Sequence, residues 1–219
     1  MKKVKNEKKS RKTLQWILGS LLIPLLIAGM INPYVGYVIM AMMISLITIS
    51  IFKGRYWCGW LCMRGSFLER HFSSFSGQRK IPEFFKSIYF RLFIIIVLMG
   101  MFSLQLWLAG WDLAKIGMIF VRLCIVTTLV AIPLGLIYRP RIWCSFCPMG
   151  TIQGFLGKNK NLVQVSEDCK ECSLCEKACP IDTNPSKSKH HGKVKSENCL
   201  RCENCVLSCP SKALKIDNK

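Results

Sequence analysis

Four long apolar stretches fill the first two thirds of the chain: about Leu14–Met30, Pro33–Phe52, Tyr89–Leu108 and Ile116–Tyr138. Each is close to the ~20 residues a helix needs to cross a bilayer. Residues 31–36 (INPYVG) join the first pair without a charge, and residues 109–115 (AGWDLAK) join the last pair with only Asp112 and Lys115. The basic segments lie at the opposite ends: residues 1–12 carry seven Lys/Arg and residues 53–91 carry eight more. That asymmetry predicts both short links outside and both termini in the cytoplasm. The first stretch lacks a small-residue cleavage site in a polar setting and reads as a retained span, not a signal peptide. Residues 81–91 (IPEFFKSIYFR) interleave aromatics with Lys86 and Arg91, as an interfacial lead-in to the third span would.

Composition agrees once the charge is located. At 219 residues the chain is long enough for one or two domains. Apolar residues make up 51%, yet the net charge is +19. Nucleic-acid binding is the usual reading of so basic a chain. Here the charge flanks apolar spans, which is the pattern of membrane topology, and no nucleic-acid partner is expected. Thirteen cysteines would suggest a disulfide framework in a small secreted domain. Eight of them fall in a single tandem pattern, which fits a reducing compartment better.

Two short motifs repeat at the ends of the hairpins. "RYWCGWLCMRG" (55–65) follows the second span and "RIWCSFCPMG" (141–150) follows the fourth; both read Arg-x-Trp-Cys and then Cys-x-x-Gly. Arg and Trp at that depth read as interfacial anchors, which leaves the cysteines unexplained. On a regular helix Cys58 and Cys62 would have Cβ atoms roughly 5–6 Å apart, too far for the about 3.5–4.5 Å of a disulfide. Cys144 and Cys147 could be a redox dithiol, and a pair of buried structural thiols is the plainer alternative. Two hairpins in the same orientation, however, deliver all four to one membrane face. That predicts a third metal centre, [2Fe-2S] or [4Fe-4S], held by Cys58, Cys62, Cys144 and Cys147, with Arg55, Arg64, Arg139 and Arg141 offsetting its charge. Cys124, alone in the fourth span, reads as a packing residue.

From Ser166 the apolar runs stop. "CKECSLCEKACP" (169–180) and "CLRCENCVLSCP" (199–210) each read C-x2-C-x2-C-x3-C-P, the bacterial ferredoxin signature for two [4Fe-4S] clusters. In that arrangement the fourth cysteine of each run serves the other cluster: Cys169, Cys172, Cys175 and Cys209 for one, Cys199, Cys202, Cys205 and Cys179 for the other. Pro180 and Pro210 turn the chain away after each run. Four-thiolate zinc is the alternative for C-x2-C pairs, but two full runs with the trailing proline disfavour it. His190 and His191, in the intervening loop, read as solvated.

Four spans, a cysteine pair after the second and the fourth, and a double-cluster tail together resemble the NapH-type membrane ferredoxins, whose membrane motif is shared with NosR-type proteins. This chain has Met63 after Cys62 and only two residues between Cys144 and Cys147, where the family motif is usually C-x3-C-P. The resemblance implies a quinol dehydrogenase component that exchanges electrons between membrane quinone and a partner redox protein. A redox-sensing or cofactor-assembly membrane protein is the alternative.

The fold expected is therefore an α-helical membrane protein with four transmembrane helices, as two repeated hairpins, and a C-terminal α+β bacterial-type 2[4Fe-4S] ferredoxin domain. Residues 1–13 form a basic cytoplasmic N-terminus, 14–157 the transmembrane domain and 158–219 a cytoplasmic ferredoxin domain at the inner membrane. A charge inside a span needs a partner. Arg122, with Gln105, Trp111 and Asp112 at similar depth, is the candidate quinone site, Asp112 being the proton acceptor; the alternative is that Arg122 snorkels to the interface.

Overall fold

Each apolar stretch is helical in the computed structural model, which describes residues 2–194 and 196–216. Met1 of the basic N-terminus, Lys195 of the loop between the cysteine runs, and residues 217–219 of the predicted tail domain lie outside the described residues. The first stretch is two helices, α1 (Lys2–Ser20) and α2 (Leu22–Ile31). The helical ladder loses a rung there, because Pro24 has no N–H to give the Ser20 carbonyl four residues earlier, while Leu21 itself keeps helical dihedrals. Asn32 then accepts a bond from the Tyr34 N–H (3.1 Å), closing one 3-10 turn before α3 (Gly36–Lys53). The first cysteine motif forms α4 (Tyr56–Trp60) and α5 (Met63–His71). A single turn, α6 (Glu83–Lys86), leads into the long helices α7 (Ile88–Ala109) and α8 (Leu113–Ile137). The second motif forms α9 (Trp143–Phe146) and α10 (Pro148–Leu156).

Among the described residues, four helical segments are long and apolar enough to cross a membrane: Ser10–Ile31, Pro33–Lys53, Ile88–Ala109 and Leu113–Ile137. Their outward faces carry large exposed apolar side chains such as Ile27, Phe93, Ile96, Val126 and Leu129. Water penalises such a surface and lipid does not. α8 is the central helix and packs on α2, α3 and α7; α7 is peripheral, with Arg91 its one buried residue. At the end away from the cysteine motifs, Gly36 and Gly117 bring α3 and α8 together backbone on backbone. A Cβ on Gly36 would overlap the Gly117 carbonyl, and one on Gly117 would overlap the Pro33 carbonyl. Small residues permit that approach where apolar association alone supplies little force.

The tail is built on a two-stranded antiparallel sheet, β1 (Val163–Val165) and β2 (Leu214–Ile216), with Gln164 opposite Lys215. Two single-turn helices, α11 (Leu174–Lys177) and α12 (Asn204–Leu207), fall at matching places in the cysteine runs. Its small core holds Val163, Val165, Val194 and Leu214 together with Cys175 and Cys205.

Residues 81–91 do more than lie at an interface. Asp182 of the tail accepts a bond from the Ile81 N–H (3.3 Å) and pairs with Lys86 (3.7 Å) and Arg139 (3.1 Å). Phe85 and Phe90 meanwhile pack against Phe146. The segment thus clamps the tail to the helices.

The α3–α8 crossing gives a direct test. Gly36→Val should lower stability by about 1–3 kcal/mol, the usual cost of overpacking, read as a lower unfolding temperature in detergent. Gly100→Ala, where an added Cβ meets nothing within 4 Å, should change it little.

Candidate metal centres

The two cysteine motifs adopt the same local structure despite unequal spacing. Cys58 lies in α4, which ends at Trp60, and Cys62 is extended (φ −64°, ψ 109°) as the N-cap of α5. Cys144 lies in α9, and Cys147 (φ −58°, ψ 128°) is the N-cap of α10, with Pro148 at its first position. The expectation of Cys58 and Cys62 on one regular helix is therefore corrected. The helix breaks between them, and Cys62 turns its sulfur onto the Gly65 N–H (3.4 Å). Both cysteines thus stand at the start of a helix, Cys62 with a side-chain cap bond and Cys147 without one.

Arginines hold the two motifs to each other. Arg55 of the first donates to the Cys144 carbonyl of the second (2.6 Å), and Arg141 of the second donates to the Cys58 carbonyl of the first. The closing glycines follow the same exchange: a Cβ on Gly65 would lie 3.6 Å from Arg141 Cζ, and one on Gly150 would collide with the Arg55 guanidinium. Arg55 and Arg141 are 2% and 0% exposed, so they are not interfacial anchors as the sequence suggested. Arg141 also pairs with Glu69 (2.6 Å). Burial pushes the Glu69 carboxyl up, but Arg141, Arg11 and Arg70 more than compensate, and it stays below its ordinary range.

The four sulfurs share one electrostatic neighbourhood. Burial pushes up the Cys58 thiol, against the pull of Arg55, and Cys62, Cys144 and Cys147 raise it further. Cys144 is pushed up to about 11 by burial, with Arg141 opposing and Cys62 and Cys147 adding to the rise. Arg64 donates to Cys147 Sγ (3.5 Å) and Thr127 Oγ1 (2.7 Å) and lies over the Trp143 ring (5.2 Å). Cys58 Sγ donates to Gln153 Oε1 (3.3 Å). The buried Gln153 Nε2 and Trp143 Nε1 have no hydrogen-bond partner. Unpartnered buried donors beside soft thiols suit an anionic, sulfide-rich group.

In the tail, Cys179 (to about 12) and Cys205 are pushed up by burial first and by other thiols, Cys199 among them; Cys202 is pushed up by burial, with Arg11 and Arg141 opposing and Cys199 adding to the rise. Cys179, Cys199, Cys202 and Cys205 are thus brought together. Cys169, Cys175 and Cys209 pack around the sheet core, and Cys172 is exposed. The backbone repeats with the cysteines. Glu171, Ser173 and Asp182 have φ of 51°, 57° and 58°, and Arg201, Glu203 and Lys212, each thirty residues on, have 53°, 61° and 55°. Non-glycine residues there cost of order 1–3 kcal/mol each. Alternating right- and left-handed backbone turns successive N–H groups into an anion-binding nest, which a negatively charged cluster requires. Among the described residues no three His, Cys, Asp or Glu side chains group closely enough to hold a single metal ion; four zinc thiolates would sit about 3.8 Å apart.

The membrane and tail cysteines meet. Cys58, Cys144, Ile181, Leu200 and Cys202 form one buried cluster, with Cys179 against it. A Cβ on Gly59 would lie 3.2 Å from Cys202 Cβ, so the tail backbone rests on the first motif.

Segments 35–82 and 121–164, which contain the two membrane pairs, match a family model described as a 4Fe-4S binding domain. Residues 161–210 match one described as a 4Fe-4S dicluster domain. This is an iron–sulfur protein of ferredoxin type. Two uncharacterized proteins of Methanocaldococcus jannaschii are similar to it. One is 23% identical over 189 residues, covering 80% of this chain and 77% of its own length. The other is 25% identical over 179 residues, covering 77% and 66%. No solved structure gives a significant match.

Gln105, Trp111, Asp112 and Arg122 do not assemble as the sequence suggested. Asp112 caps α8, accepting from the Ala114 (3.1 Å) and Lys115 (3.3 Å) N–H groups, and pairs with Lys115 Nζ (3.2 Å). The Lys115 backbone bond, above all, holds its carboxyl low. Trp111 is 99% exposed and Arg122 is exposed. Neither they nor Gln105 line the cavity of about 170 Å³ that opens beside Cys58, Cys62 and Cys147. Cys124 packs against the core as expected and also lines it, as do Arg64, Thr127 and Gln153. The sequence did carry one signal for the buried arginines: Arg and Gly stand at matching ends of both motifs.

Replacing Arg55 with Lys removes the fork that serves the Cys144, Glu197 and Asn198 carbonyls. Leaving buried carbonyls unpaired should cost about 1–3 kcal/mol, measured by thermal unfolding, with loss of iron from the membrane motifs before the tail. Arg141→Lys should do the same, and the two effects should be less than additive, because either one opens the same junction.

Proposed function

We propose that this protein is a membrane-anchored electron carrier passing electrons between the quinone pool and a partner redox protein through three iron–sulfur centres in series. The first is held by Cys58, Cys62, Cys144 and Cys147, the second by Cys179, Cys199, Cys202 and Cys205, and the third by Cys169, Cys172, Cys175 and Cys209. Iron–sulfur clusters supply one-electron transfer at potentials that their surroundings set. The observation that carries the reading is the buried contact of Cys58 and Cys144 with Cys202, which puts the membrane cysteines against the second set. The exposure of Cys172 supports reading the third set as the port to a partner.

The chain's own residues do the rest. Arg55 and Arg141 lock the two motifs, and Gly59 admits the tail. Each quinol oxidised gives two electrons and two protons, so two one-electron transfers complete a turnover and the protons pass to water. The positive charge flanking the cysteine end supports a cytoplasmic tail and cytoplasmic termini. The paired hairpins and the resemblance to NapH-type proteins support a quinol dehydrogenase role.

An anaerobic preparation should contain about ten to twelve iron atoms per chain, against about eight for two tail clusters alone. The Cys58→Ser, Cys147→Ser double variant should fall to about eight and lose one EPR signal. A wild-type protein with eight and a spectrum unchanged in the double variant overturns the three-centre reading.

A further inference from the structure

The cavity beside the membrane cysteines has a chemistry of its own. Its walls come from α2, α3, α7 and α8 and are apolar, with Leu25, Met42, Met43, Leu98, Met99 and Phe120 among them. Leu25, Met42, Met43, Leu98 and Met99 keep partial exposure, while Leu22, Ile39 and Leu46 of the same lining are buried. Thioether and aromatic walls adapt to a flat, polarisable ring. One end alone is polar, and there Arg64, Thr127 and Gln153 stand beside Cys58, Cys62 and Cys147.

Size narrows the ligand. An apolar cavity of about 150 Å³ takes a benzene ring; the cavity here, about 170 Å³ including the space beside the cysteine sulfurs, is on the scale of a small aromatic headgroup and not of a flavin or a haem. A ligand with a longer tail must let that tail leave between the helices.

Arg64 decides the orientation. Thr127 Oγ1 is already engaged, donating to the Leu123 carbonyl (2.7 Å) and accepting from Arg64 (2.7 Å), and so it fixes the guanidinium. A guanidinium has five N–H donors, of which Thr127 and Cys147 Sγ take two. Protein surrounds Arg64, yet it retains accessible surface because it lines the cavity. Any oxygen accepting from it would stand one guanidinium away from the Cys147 sulfur.

We infer that this cavity is the binding chamber for the ring of a membrane quinone, with Arg64 donating to a ring oxygen and the isoprenoid tail leaving between the helices. This rests on the electron-transfer reading above. It moves the quinone from the group of Gln105, Trp111, Asp112 and Arg122 to the end that holds the cysteines.

The test uses full-length protein in lipid nanodiscs with decylubiquinol and a short-chain menaquinol, following cluster bleaching by stopped flow. Iron content and the EPR spectrum after dithionite reduction serve as controls. Met43→Trp, which fills the chamber from α3, should slow quinol-driven reduction at least about tenfold while iron and the dithionite spectrum stay unchanged. Arg64→Gln should raise the quinol concentration needed for half-maximal rate by about tenfold, the loss of one charge-assisted bond. Should Met43→Trp lose iron, Leu98→Phe fills the chamber from α7 in its place. Wild-type rates in filled variants that retain iron overturn the chamber while leaving the electron-transfer reading standing. If neither quinol reduces the wild-type protein although dithionite does, the quinone reading itself fails, and the chamber fails with it.

Discussion

Arg55 reaching the Cys144 carbonyl and Arg141 reaching the Cys58 carbonyl form the interaction on which the rest of this structure depends. The two cysteine pairs belong to different hairpins, and nothing local in either motif brings them together. A guanidinium is always charged and presents donors in a rigid fork, so each buried arginine must find acceptors, and each finds them in the opposite motif. Leaving such buried carbonyls unpaired costs about 1–3 kcal/mol, more than an exposed pair contributes. The exchange thus converts two flexible turns into one fixed platform.

The same residue type fixes the tail to that platform. Arg55 also donates to the Glu197 and Asn198 carbonyls, and Arg139 to the Cys179 carbonyl. Arg11 of α1 bonds Asn204 and the Gly59 carbonyl. The tail is therefore docked as a lid over the cysteine end of the helices, not tethered beside it. Docking matters for electron flow because a fixed contact replaces a diffusional encounter. The strongly positive net charge has a structural share in this, beyond any role in membrane orientation: several of its arginines are buried and bonded to backbone carbonyls.

The polar end of the bundle and its apolar middle divide the labour. α8 supplies Thr127 to the polar end and pairs its glycine with α3 at the other, while α7 stays peripheral. α1 packs along α5 and brings Arg11 and Gln15 to Gly59.

Sequence by itself determined the four apolar helices, the two motifs at one end and the eight cysteines of the tail. Each of these is a local property, set by the length of an apolar run or by the spacing of ligands within a dozen residues. Tertiary structure alone decided what surrounds them. Arg55 and Arg141 looked like lipid anchors because a guanidinium beside a span usually faces water, and only the opposite motif supplies the acceptors that let it be buried. Asp112 and Arg122 looked like a site because they share a depth, but depth fixes one coordinate and says nothing of which face a side chain takes. Cys124, Arg64, Thr127 and Gln153 line one cavity from α8, α5 and α10, and no spacing along the chain could have joined them. Side chains that meet across elements are chosen by packing, and packing is settled only when the whole chain has found its place.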